Sequence, residues 1–174
     1  MKVYDAQSLR NVALVGHSGA GKTQLLSALL FDAGAVNRLG RVDEGTTVTD
    51  YDDEEIARKH TLSASLAYVE WNRTKINFID TPGYLDFAGE TKAGVRVADG
   101  ALVVVSGLAG VEVGTERAWQ LVEALNQASE CFLTNLEEAS AFGAALLART
   151  AFEQRDIRGL GAGFEIERRR VPDC

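Results

Sequence analysis

The sequence predicts an α/β fold: a mostly parallel sheet with one antiparallel strand and helices on both faces. Three observations carry this expectation. Residues 11–15 (NVALV), 76–80 (INFID) and 101–105 (ALVVV) are apolar runs without alternation, as in strands buried on both faces. Each run leads into glycine-bearing loop residues and then a helical pattern. Residues 62–69 (LSASLAYV) alternate instead, which fits a half-exposed strand.

The elements follow in order. The first run ends at Gly16, and residues 22–33 then carry Leu25, Leu26, Ala28, Leu29 and Leu30 on a helix that Gly34 can stop. Residues 35–61 form a polar connector, and a loop of that length inside a compact domain is functional or disordered. Its acidic run, Asp50, Asp52, Asp53, Glu54 and Glu55, reads first as a solvated face. In 62–69, Leu62, Ala64, Leu66 and Tyr68 alternate with Ser63, Ser65, Ala67 and Val69. The polar WNRTK then turns the chain into 76–80, so a β-hairpin supplies the antiparallel strand. Residues 86–98 and 114–127 read as two further amphipathic helices.

Composition narrows the function classes. A chain of 174 residues defaults to one domain, and 46% hydrophobic with 25% charged residues excludes a disordered one. The net charge of −7 gives no electrostatic footprint for nucleic acid. Cys131 and Cys174 suggest no disulfide framework and fit a reducing cytosol. The N-terminus MKVYDAQSLR has no apolar leader core, and no run approaches the ~18 apolar residues of a membrane span. A cytoplasmic, soluble protein without a membrane partner is expected.

Two motifs carry chemistry. Gly16-His17-Ser18-Gly19-Ala20-Gly21-Lys22-Thr23 fits G-x-x-x-x-G-K-[ST], with an apolar strand before it and an amphipathic helix after it. Such a P-loop lets backbone N–H groups cradle phosphate, aided by the positive end of the helix. Lys22 can reach the β/γ-phosphates and Thr23 can ligate Mg²⁺. Asp80-Thr81-Pro82-Gly83 follows the strand INFI, 58 residues after Lys22. Asp80 can hold Mg²⁺, usually through water, and Gly83 can offer its N–H to a terminal phosphate. Loss of that phosphate would release the following segment, which makes a switch. The fold expectation is therefore a P-loop NTPase.

The blocks GHSGAGKT, TTVTDYDDEEIARKHTLS, FIDTPGYLDFAGE and GVEVGTERAW, in that order, resemble elongation factor G and its close bacterial paralogues across residues 8–120. The resemblance implies a translational GTPase with GTP or GDP as ligand and Mg²⁺ as cofactor. It makes Thr61 the threonine that contacts Mg²⁺ and the terminal phosphate, beside Thr23 and Asp80 as metal residues. The same resemblance casts Lys22, Thr61 and Tyr84 as the residues that serve hydrolysis. It also implies the ribosome as a partner, with the domains that read it absent from this chain.

The sequence departs from the family at two places. The family has histidine after D-x-P-G to position the attacking water, and here Tyr84 stands there. A tyrosine hydroxyl, with a pKa near ~10, is a poor general base at neutral pH, so slow or differently triggered hydrolysis is expected. His17 lies too early in the P-loop for that role and reads as a side chain near the phosphate cavity. The family's N-K-x-D guanine motif aligns with Thr134-Asn135-Leu136-Glu137, which would put Asn135 at the lysine and Glu137 at the aspartate. The same TNLEE also reads as a capped helix start. Residues 121–174 read as a divergent tail, separate from a GTP-binding part at 1–120, and NLEEASAFGAALLA looks like a C-terminal fragment of FGGY-type sugar kinases. Arg168, Arg169 and Arg170 read as a solvated tail. The alternative function is a phosphate-binding nucleotide module of weak base selectivity and little hydrolysis.

Overall fold

The structure, a computed structural model, describes residues 2–125 and 128–134. Among the described residues, five strands form one sheet: β1 (Leu9–Val15), β2 (Ser65–Trp71), β3 (Thr74–Asp80), β4 (Gly100–Ser106) and β5 (Ala128–Thr134). Their spatial order is β2-β3-β1-β4-β5. β1 runs parallel to both β3 and β4, β4 runs parallel to β5, and only β2 is antiparallel. The helices are α1 (Lys22–Asp32), α2 (Asp53–Arg58), α3 (Ala88–Val97) and α4 (Val113–Ala124).

Burial on both faces explains the absence of alternation in the central strands. Val12 and Leu14 of β1, with Leu102 and Val104 of β4, pack against Leu25, Leu26, Leu29 and Leu30 of α1. Their neighbours Ala13, Val15, Val103 and Val105 point the other way, into a second cluster with Val95 of α3 and Val122 of α4. Successive strand side chains alternate between faces, so a strand covered on both sides must be apolar at every position.

The hairpin forms as expected. Asn72 and Arg73 both take positive φ (46° and 66°), the backbone of a tight two-residue turn that matches the strand twist. The edge strand differs in its start, and one face of it is buried as expected of a half-exposed strand. Val69 is buried while Leu66 is 74% exposed and Tyr68 55% exposed. The strand begins at Ser65 rather than 62 because carboxylates take the preceding amides. Leu62 and Ser63 donate to Glu55 Oε1 at 2.9 and 3.1 Å, and Ala64 donates to Glu90 Oε2 at 3.1 Å.

The acidic run is not uniformly a solvated face. Asp52, Asp53 and Glu54 are exposed, but Asp50 and Glu55 are buried. Asp52 caps α2 in a capping box with Glu55, which leaves the other Glu55 oxygen to organise residues 62–63. The connector 35–61 is thus folded onto the domain. The helix read at 86–98 opens as a 3₁₀ turn at Leu85–Phe87 before α3, and the one read at 114–127 is α4. Residues Asn135 and Glu137, the sugar-kinase-like stretch and Arg168–Arg170 lie outside the described residues.

The contrast between faces sets the energetics. Phe78→Ala, which empties a fully buried site, is expected to cost about 3–5 kcal/mol in urea unfolding. Leu66→Ala, on the exposed side of β2, should stay within about 0.5 kcal/mol.

Candidate nucleotide site

The strand register brings the two motifs together. Leu14 of β1 pairs with Asp80 of β3, so the P-loop and the 80–83 turn leave the sheet side by side. Gly16 takes φ +143°, and any Cβ there would collide with the Val104 carbonyl oxygen of the neighbouring strand. The chain can leave β1 along this path only without a side chain.

The loop ends on Gly21, the N-cap of α1, in the left-handed conformation. Glycine supplies no capping oxygen, and the first turn of α1 holds no acidic residue. The amide donors and positive end of the helix are thus left without a side-chain anion, as an anion cradle requires. Ala20 turns its methyl into the α1 core cluster, so it serves the loop through its backbone. Lys22 is buried and donates from Nζ to the carbonyls of Gly16 (3.1 Å) and His17 (2.9 Å). Burial pushes its ammonium down to about 8, opposed by the negative charges of Asp80 and Asp50.

Gly83 reaches the same cradle from the other motif. A Cβ on it would lie 2.5 Å from Lys22 Nζ and 2.6 Å from Ser18 N. Thr81 and Pro82 hold this turn in place rather than facing a ligand with their side chains. Thr81 Oγ1 donates to the Leu14 carbonyl at 2.5 Å, and the Pro82 carbonyl accepts from Thr91 Oγ1 at 2.9 Å. Tyr84 follows on the surface, 44% exposed, with its ring 4.7 Å from that of His60.

Thr61 does not open a strand. Its Oγ1 lies 3.0 Å from Thr23 Oγ1 and donates to Asp50 Oδ1 at 2.8 Å. Asp80 is fully buried, and its Oδ2 accepts from Thr49 Oγ1 at 2.9 Å. Burial pushes the Asp80 carboxyl up to about 6, against the nearby hydroxyls of Thr23 and Thr49 and the Lys22 ammonium. Burial likewise raises Asp50, against the hydrogen bond from Thr61. Asp80 Oδ1 and Asp50 Oδ2 are buried without a hydrogen-bond partner. The arrangement therefore gathers three hydroxyls and two carboxylates, with two acceptor oxygens unspent.

The His17 ring turns to the start of α4, where Gly114 N–H donates to Nδ1 at 3.2 Å and Nε2 faces Glu112 Oε1 at 3.4 Å. The His17 carbonyl accepts from Lys22 Nζ within the cradle. Sequence reasoning missed three residues: Asp50 and Thr49, which join the hydroxyl–carboxylate group, and Glu55, which holds the turn beside Thr61. The D-x-x-E spacing of Asp52 and Glu55 was the available signal for the last. Nothing local marks Asp50, which acquires its place through contacts across the connector.

The chain matches the model of the Elongation factor Tu GTP binding domain over residues 7–141, so the match runs beyond 120 and through β5. It is 43% identical over 133 residues to the Elongation factor G-like protein of Mycobacterium tuberculosis, covering 76% of this chain and 19% of that protein. It is 39% identical over 132 residues to the mitochondrial Ribosome-releasing factor 2 of Scheffersomyces stipitis, covering 76% of this chain and 16% of that protein. Elongation factor G of Dehalococcoides mccartyi is 35% identical over 138 residues, 79% of this chain and 20% of its own. The chain thus spans about a fifth of the length of these relatives. A protein of Thermus thermophilus of known crystal structure superposes with a TM-score of 0.72 at 43% identity, over 83% of this chain and 22% of that one. Among the described residues no helix is long and apolar enough to cross a membrane. With more than half of its length under the family model, this chain belongs to the elongation factor Tu GTP-binding domain family.

Proposed function

We propose that this chain binds GTP and GDP together with Mg²⁺ and hydrolyses GTP, as the nucleotide switch of a translation factor of the elongation factor G kind. The observation that carries the reading is the cradle: an uncapped α1 N-terminus, the buried Lys22 ammonium and the Thr23–Thr61 hydroxyl pair at 3.0 Å. The name of one relative, Ribosome-releasing factor 2, supports the ribosome as partner, and the cytoplasm is the location in this reading. The family match favours this reading over a phosphate module of weak base selectivity. In it, the GTP-binding part runs past the expected boundary at 120 and includes α4 and β5, the divergent tail begins beyond them, and no sugar-kinase chemistry is carried over.

The donor set fits Mg²⁺. Hydroxyl and carboxylate oxygens are the hard ligands this ion takes, and it keeps several waters, which suits carboxylate oxygens that approach without a partner of their own. Thr23 and Thr61 would ligate it, with Asp80, and Asp50 beside it, accepting hydrogen bonds from its waters. When bound, the ion would neutralise charge developing on the β- and γ-phosphates. The rest falls to the chain. Lys22, displaced from its two carbonyl partners onto phosphate oxygens, regains a strongly charged environment and stays protonated. The backbone amides of residues 17–23 orient the phosphates. The Gly83 N–H, brought close by the absence of a Cβ, holds the terminal phosphate and so couples it to the segment that begins at Tyr84.

Lys22→Ala should weaken fluorescent GTP binding at least about tenfold with Mg²⁺ present, given the cost of losing a charged hydrogen-bond donor. Full retention of selective GTP binding would sink the reading. Thr23→Ala should weaken binding more with Mg²⁺ than in a chelator, and equal weakening would remove Thr23 from the metal. Asp80→Asn tests the buried carboxylate in nucleotide-free, metal-free protein. The folded pKa of about 6 lies above the ordinary 3.8, so the native state binds the proton more tightly and stability falls as pH rises between these values. The variant should therefore match wild type near pH 4 and exceed it above pH 6, by on the order of 2 kcal/mol, in thermal or urea unfolding.

A further inference from the structure

We infer that His60 positions the attacking water in this protein, in place of the histidine that Tyr84 replaces; the inference rests on the GTPase reading above. His60 immediately precedes Thr61, whose hydroxyl lies 3.0 Å from that of Thr23. Its ring packs against Tyr84 at 4.7 Å between centroids, with the planes tilted by 54°. Tyr84 in turn follows Gly83, the residue pressed against Lys22 Nζ and Ser18 N. The imidazole thus belongs to the segment that carries the Thr61 hydroxyl and packs against the residue that follows Gly83.

Hydrogen bonding also selects the tautomer of the neutral ring. Lys59 takes a left-handed turn (φ 58°), and His60 folds back so that its N–H reaches the Glu55 carbonyl at 3.2 Å. Nδ1 lies 2.8 Å from the Arg58 carbonyl oxygen. A carbonyl oxygen only accepts, so Nδ1 carries the hydrogen, and the lone pair of Nε2 is left to accept one from water. Tyr84 braces the opposite loop against this ring, which gives the tyrosine a purpose that does not need its hydroxyl as a base. His17 is in the opposite tautomer, since its Nδ1 accepts from Gly114 N–H, and its ring is committed to α4.

In the step, a water oxygen bonds to the γ-phosphorus as the bond from that phosphorus to the β–γ bridging oxygen breaks. GDP leaves with the electron pair, and the water proton passes to the phosphate oxygens. His60 accepts a hydrogen bond from that water and sets its direction, so it acts through geometry.

The experiment uses the full chain with Mg²⁺ and GTP, and compares wild type with His60→Ala, His60→Gln and His60→Phe. Single-turnover hydrolysis is read beside fluorescent GTP affinity, and the imidazole nitrogen shifts of the nucleotide-free protein are recorded by NMR. His60→Ala should lower the rate about tenfold to a hundredfold with affinity changed less than about threefold. Gln, which keeps an acceptor, should recover part of the rate, and Phe, which keeps only the ring contact with Tyr84, should not. The spectra should place hydrogen on Nδ1 of His60 and on Nε2 of His17. An unchanged rate in His60→Ala, full recovery by Phe, or hydrogen on Nε2 of His60 would overturn the assignment. Wild type that binds GTP without hydrolysing it would overturn it as well, whereas wild type that binds no GTP would overturn the nucleotide reading itself.

Discussion

The parallel pairing of β1 with β3 is the constraint on which the site depends. With Leu14 opposite Asp80, the two strands end at one level, and the turns that follow them emerge next to each other. Parallel neighbours cannot be joined by a tight turn, so the chain makes a long excursion between them. That excursion contains α1, the connector and β2. The same geometry that aligns the P-loop with the 80–83 turn therefore also creates room for a segment that can reach back over both. A shift in this register would separate Gly83 from Lys22 and leave two unrelated loops.

The site concentrates charge where the fold is otherwise apolar. Lys22, Asp50 and Asp80 are all buried, and each is pushed toward its neutral form by burial. Their opposite charges offset part of this, but two carboxylate oxygens remain without hydrogen-bond partners. An arrangement of that kind is a poor way to stabilise a protein and a good way to hold a cation and a polyphosphate, because the ligand supplies the missing partners. The two apolar clusters on either face of the sheet carry the stability that the site does not.

The connector shows how a polar segment acquires structure. Glu55 accepts from residues 62 and 63 while completing the cap of α2, and Asp50 takes the hydroxyl of Thr61. Buried carboxylates tie the segment down where another loop would use apolar contacts. Such polar ties are exchangeable: a bound ion can replace a hydroxyl partner with little change in geometry. A segment held this way can be fixed or released by what occupies the neighbouring site.

The central strands, the P-loop, the hairpin and the 80–83 turn were legible in the sequence because each is written in adjacent residues: an unbroken apolar run, spaced glycines, a polar turn between strands. The identity of Lys22, Thr23 and Asp80 as candidates followed from the same local patterns. Thr61 needed the family resemblance, since a lone threonine before a strand carries no signal of its own. The burial of Asp50 and Glu55, the choice of the buried β2 face, the turning of His17 toward α4 and the meeting of His60 with Tyr84 were decided only by the tertiary structure. These are contacts between residues distant along the chain or choices between equivalent faces, and no short pattern specifies them. Charge patterning marks a carboxylate as soluble by default, and only the packing around it reveals when its partners have been brought inside.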